Sequence, residues 1–159
     1  MHNAMRSLFL VFLVSLSSAT FSKDRPDIGA LAANELLASG REAAARADWR
    51  QAQVNLREAV REDPNNADAH NLLAYTYRKQ NKPDLAKAFE HYKAALTIDP
   101  QHRGAHEYIG EAYLMAGQPK KAHEHLVALE TICGNRQCEE YKDLAQAIAA
   151  FQKDPPNKQ

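Results

Sequence analysis

What this sequence lacks first is net charge: 20 lysines and arginines face 20 aspartates and glutamates. A nucleic-acid binder needs a basic footprint, so that class is set aside, as is any polyanionic or polycationic tail. Glycine is scarce, at six in 159 residues, and none sits in a phosphate loop, a nucleophile elbow or a dinucleotide-binding turn. The metalloprotease pattern is missing too. His106-Glu107 and His123-Glu124 begin it, but Gly110 and Val127 stand where the second histidine is needed. An enzyme is therefore not expected, nor a cofactor, nor a metal. The chain also lacks a hydrophobic run of spanning length: Leu8 to Leu16 is nine residues, against the roughly 20 that cross a bilayer.

That short run belongs to an N-terminal export pattern. Arg6 supplies a basic start, Leu8 to Val14 an unbroken apolar stretch, and Ser17-Ser18-Ala19 the small residues that a signal peptidase reads. Residues 1–19 are expected to be a signal peptide, cleaved after Ala19 or, as second choice, Ser22; the alternative is an uncleaved anchor. No cysteine follows the run, which argues against a lipoprotein-type lipid anchor. The expected location is outside the cytoplasm, periplasmic or secreted. Residues 20–30 carry Lys23, Asp24, Arg25, Pro26 and Asp27 without periodicity and read as a flexible lead-in. The remaining chain suffices for one domain.

The stretch 67–100 has the clearest pattern. Leu72, Leu73, Ala74, Tyr75 and Tyr77 form the apolar side of one helix. Asn81-Lys82-Pro83-Asp84 interrupts it, since proline fits a helix start and not its interior. Leu85, Ala88, Phe89, Tyr92, Ala95 and Leu96 mark a second helix, which Asp99-Pro100 ends. The same Asp-Pro pair stands at 63–64, thirty-six residues earlier, and such a period points to a solenoid of repeats. Upstream, Leu31 to Ala47 reads as a helix with Leu36, Leu37 and Gly40 inward, returning through Ala52, Leu56, Ala59 and Val60. Trp49 is expected to plug the gap between these two helices. Downstream, Tyr108, Ile109, Ala112 and Tyr113 precede the turn Ala116-Gly117-Gln118-Pro119, and Ala122, Leu126 and Leu129 return. A last stripe is Tyr141, Leu144, Ile148 and Phe151.

These positions resemble the tetratricopeptide repeat. Small residues at its helix crossings match Gly40, Ala74 and Gly110 on the first helices and Ala52, Ala88 and Ala122 on the second. Its larger packing positions match Ala43, Tyr77 and Tyr113, and Leu56, Tyr92 and Leu126. Its terminating proline matches Pro64 and Pro100, with Gly134 in the third unit. The family's aromatic near the first helix start is replaced by Leu36, His70 and His106, and the middle unit has two extra residues around Lys82-Pro83. The resemblance implies an all-α, right-handed α-solenoid of three helix-turn-helix units, at 31–64 (degenerate), 67–100 and 103–134. A capping helix at 138–153 covers the open end, as solenoids require, and a polar tail occupies 154–159.

It also implies protein-protein binding, in a groove lined by the first helices. Carried over by position, the groove residues are Asn34, Leu37 and Arg41; Asn71, Tyr75, Arg78 and Lys79; and Glu107, Glu111, Leu114 and Met115. All lie off the packing stripe, so the fold does not demand their burial. The variety of this repeat that grips a C-terminal carboxylate has lysine and asparagine where Leu37 and Arg41 stand, so that clamp is not supported. The expected function is an adaptor or assembly factor holding a segment of another envelope protein. Tyr75 would be its anchor, with Arg78 or Lys79 pairing an acidic side chain. A self-associating scaffold is the alternative, and a thiol-redox protein using Cys133 and Cys138 a weaker one.

Cys133 and Cys138 are the only cysteines, and an exported chain favours their pairing. A disulfide would staple the capping helix to the stack, contributing about 2 kcal/mol in the chain-entropy model. Reactive pairs are usually spaced more closely, and a metal would need further ligands. The segment also resembles, more loosely, the tail of small exported bacterial repeat proteins with such a pair. His70 and His106 occupy equivalent positions and are expected to pack. His102 precedes its helix, and His123 and His125 point to different sides.

Overall fold

The computed structural model describes residues 28–154. The expected signal peptide, most of the lead-in and the tail beyond Asp154 lie outside the described residues. Among the described residues seven helices follow one another: α1 (Ile28–Ala45), α2 (Trp49–Glu62), α3 (Ala67–Lys79), α4 (Leu85–Ile98), α5 (Arg103–Met115), α6 (Pro119–Cys133) and α7 (Glu139–Lys153). Among the described residues there is no strand, and no helix is long and apolar enough to cross a membrane. The fold is the expected all-α solenoid of helix pairs with a closing helix.

The turns show why the pairs form where they do. After α1 the chain reverses through Ala47, whose φ of 57° is left-handed; Gly117, at φ 69°, does the same between α5 and α6. Asp48 then caps α2 by accepting from the Gln51 N–H at 3.1 Å, and Asp84 caps α4 by accepting from Lys87 at 3.1 Å. The two extra residues of the middle pair lie in the turn, because α3 and α5 are both 13 residues long. Between pairs, Asp63 Oδ1 accepts from the Asn65 N–H and Asp99 Oδ1 from that of Gln101. The next helices are capped by Asn66 and His102, which accept from Ala69 and Ala105 at 3.0 and 3.1 Å. Because a backbone N–H can only donate, His102 Nδ1 is unprotonated, and its Nε2 faces Asp68 at 3.0 Å.

One buried cluster runs through all three pairs, including Ala43, Leu56, Leu73, Tyr77, Tyr92 and Ile109. A second joins Leu114, Ala122, Leu126 and Leu129 to Leu144 and Ile148 of α7. Two glycines divide the work. A Cβ on Gly40 would collide with Leu56, the returning helix of its own pair, whereas a Cβ on Gly110 would collide with Leu144 of α7. The small residue of the third pair therefore admits the closing helix. Trp49 does more than fill a gap within its own pair: its ring meets Tyr75 of α3 edge-on at 6.1 Å.

Candidate functional site

The first helices of successive pairs adjoin, α1 on α3 and α3 on α5, and α7 continues the row on α5. The eleven residues singled out from the sequence fall on α1, α3 and α5. Asn34, Arg41, Lys79 and Met115 are exposed, while Leu37, Tyr75 and Glu111 are partly buried. Asn71, Arg78, Glu107 and Leu114 are buried, contrary to the expectation that the fold leaves this face open. The cause is packing across helices. Leu114 lies under α7 in the second core cluster, Arg78 is closed in by Tyr92 of α4 and by Tyr108 and Glu111 of α5, and the Asn71 amide packs beside Gly104 of α5.

Arg78 is the centre of that enclosure. One guanidinium nitrogen is 2.5 Å from Glu111, and Nε donates to the Tyr92 hydroxyl at 3.2 Å. Its carbon lies 5.5 Å from the ring centroids of both Tyr75 and Tyr108, a cation held between two π faces. Burial opposes the charge, but Tyr92 and Glu111 outweigh it and the pKa rises. Burial also pushes the Tyr92 phenol up, and that of Tyr108 up to about 12. Arg78 thus has its own carboxylate and is not a free hand for an acidic ligand. Lys79 remains exposed, and Arg41 reaches Asp68 at 4.0 Å.

Two other groups on this face are less well served. Asn71 Oδ1 is buried without a hydrogen-bond partner. Glu107 is 8% exposed, and its pKa is raised to about 8, first by burial, then by Glu111, Asp143 and Glu140, with Arg78 opposing.

Beyond Arg78 the face opens into a cavity of about 710 Å³, lined by Arg78, Glu111, Leu114 and Met115 on one side and Ala147, Ala150, Phe151 and Asp154 of α7 on the other. Sequence reasoning assigned α7 a covering role and missed that it also walls the groove. The signal available was Ala147, Ala150 and Phe151, at spacings of three and four, beside the stripe of Leu144 and Ile148. Tyr75 and Tyr108, 5.0 Å between centroids, flank the Arg78 guanidinium. Cys133 and Cys138 are joined as a disulfide, Cα to Cα 6.3 Å, across the α6–α7 turn. Glu140 lies close to both sulfurs, but a disulfide offers no thiolate for a metal.

Two family models, each described as tetratricopeptide repeat, match residues 55–88 and 84–131. Among curated proteins, the type IV pilus assembly protein PilF of Pseudomonas aeruginosa is 40% identical over 57 residues, 36% of this chain and 22% of PilF. The chain thus spans about a fifth of that relative's length. A solved structure of Pseudomonas aeruginosa PilF superposes with a TM-score of 0.68 at 23% identity, over 80% of this chain and 56% of the other. The TPR2B domain of yeast Sti1, solved as a complex with pHsp70, gives 0.70 at 19% identity over 77% and 98%. At these identities the two structures share the fold.

Proposed function

The chain belongs to the tetratricopeptide repeat family, and we propose that it is a non-enzymatic adaptor or assembly factor whose α3–α5–α7 groove receives a segment of another cell-envelope protein. One observation carries the proposal: the open cavity between α5 and α7, with exposed Met115 and the Phe151 ring on opposite walls. Apolar surface left uncovered in a concavity gains from burying a partner side chain, and the aromatic row Trp49, Tyr75 and Tyr108 extends it toward the first pair. The envelope location draws on the export pattern of residues 1–19 and on the likeness to a pilus assembly protein. Tyr75 keeps its place as an aromatic contact, and of Arg78 and Lys79, the two candidates for pairing an acidic side chain, exposed Lys79 is the one we retain.

The test is capture from an envelope extract by the chain and by a Met115→Glu variant shown to be folded by circular dichroism. A protein retained by the first and lost by the second establishes groove-dependent binding. Identical retention by both, or none by either, removes the groove from consideration.

A further inference from the structure

Glu107 has no hydrogen bond or ion pair among the described residues, although the residue as a whole is only 8% exposed, its carboxyl oxygens keeping a little contact with solvent. Buried carboxyls without a donor are rare and call for a reason. The neighbouring charges do not supply one. Glu111, one helical turn along α5, is engaged by Arg78 at 2.5 Å. From α7, Glu140 and Asp143 add negative charge; Arg103 meets Glu140 at 3.4 Å, and Asp143 is exposed with no ion pair among the described residues. Two guanidinium groups thus stand against four carboxyls.

A second leftover acceptor lies on the same face. Asn71 of α3 is 5% exposed and its Oδ1 has no partner. Its amide nitrogen is 3.3 Å from the place a Cβ on Gly104 would take, and Gly104 precedes Glu107 by one turn of α5, on the same side. On α3 and α5, then, one buried acceptor, Asn71 Oδ1, and one carboxyl whose oxygens still touch solvent lack donors, within a surplus of negative charge. The missing component is a cation with several N–H donors.

We propose that the groove seats a lysine or arginine side chain of the bound segment on Glu107, with Asn71 Oδ1 as a second acceptor. The assignment rests on the groove-binding reading above and names the chemistry of its ligand. In the free protein, burial and its carboxylate neighbours keep Glu107 protonated at neutral pH. When the cation arrives, the carboxyl proton leaves to solvent and a carboxylate–ammonium or carboxylate–guanidinium pair remains. An apolar residue beside the cation would enter the Met115–Phe151 cavity. Binding is accordingly coupled to release of one proton and strengthens as pH rises toward the Glu107 titration.

The experiment uses the chain labelled with carbon-13 at glutamate carboxyls and methionine methyls, and two probes, acetyl-Leu-Lys-Leu-amide and its norleucine analogue. The lysine peptide is expected to lower the Glu107 titration midpoint by at least one pH unit, a tenfold effect. It should bind at least tenfold more tightly than the norleucine peptide, and Glu107→Gln should erase that difference. Movement of the Met115 methyl by both peptides, with no displacement of Glu107 at millimolar peptide, overturns the cation seat and leaves the groove reading standing. A Met115 methyl that neither peptide moves, together with an unshifted Glu107, overturns both.

Discussion

His106 and His125 face each other Nδ1 to Nδ1 at 2.9 Å, bridging α5 and α6. The middle pair repeats the contact, with His70 and His91 at 3.1 Å across α3 and α4. Nε2 of His70 lies 3.2 Å from the Pro64 carbonyl and that of His106 3.0 Å from the Pro100 carbonyl. A carbonyl only accepts, so both Nε2 atoms carry a hydrogen. The facing nitrogens, 3.1 and 2.9 Å apart, are at the separation of an N–H···N bond. Tyr77 stacks on His91 and Tyr113 on His125, with Lys87 and Lys121 over the tyrosines. The packing role expected for His70 and His106 is thus a hydrogen-bonded ladder, present in two of the three pairs.

Each histidine contact holds one proton, and a second would set two N–H groups face to face. Burial and then His106 push His125 down to about 4; burial and then His70 lower His91, with Lys87 adding to the effect and Glu90 opposing it. A base whose folded pKa lies below the 6.5 of a free imidazole is protonated more readily in the unfolded chain. Stability contributed by these neutral rings is complete above pH 6.5 and falls as pH drops toward about 4. Urea midpoints measured across that window should decline more steeply for the native chain than for His91→Gln/His125→Gln. Parallel declines would show that other groups drive acid unfolding.

Gly110→Ala places a methyl 2.7 Å from both terminal carbons of Leu144, which is fully buried. Leu144 has nowhere to turn, so the variant should lose about 1–3 kcal/mol. Amide hydrogen exchange should quicken in α7 before α1 and α2. Gly40→Ala, which meets Leu56 instead, should loosen α1 and α2 and spare α7.

Cys133→Ser/Cys138→Ser removes the link across the α6–α7 turn. The closed loop is short, so the loss should be about 2 kcal/mol in denaturant unfolding. Groove binding, measured with the same captured partner, should be retained at temperatures where α7 stays docked. Loss of function with the fold intact would instead favour redox chemistry at this pair.

Ala47 holds a left-handed φ of 57°, which costs a residue with a Cβ about 1 kcal/mol or more. Ala47→Gly should therefore stabilise the chain by several tenths of a kcal/mol, after the extra freedom glycine gives the unfolded state is discounted. Gly117→Ala, at φ 69° with open space around it, should do the reverse. Thermal melting of the two variants checks both signs.

The helical elements were legible because their signals are local. Proline and aspartate at 63–64 and 99–100, the left-handed Gly134 and the spacing of Ala52, Leu56 and Ala59 act within a turn or two of chain, where the period of 3.6 residues decides which side is apolar. Repetition of those signals carried the solenoid, and the resemblance to the repeat family supplied the expected groove face.

Occupancy of that face was not legible. Arg78 read as a surface cation until Tyr92, Tyr108 and Glu111 closed around it from α4 and α5, and Leu114 read as groove lining until α7 covered it. The same holds for Gly110, whose missing Cβ admits Leu144 from 34 residues away. Helix formation follows from residues three and four apart in one chain segment. Burial, charge pairing and the raised pKa of Glu107 follow from which helices come to lie side by side, and that is settled only when the stack assembles.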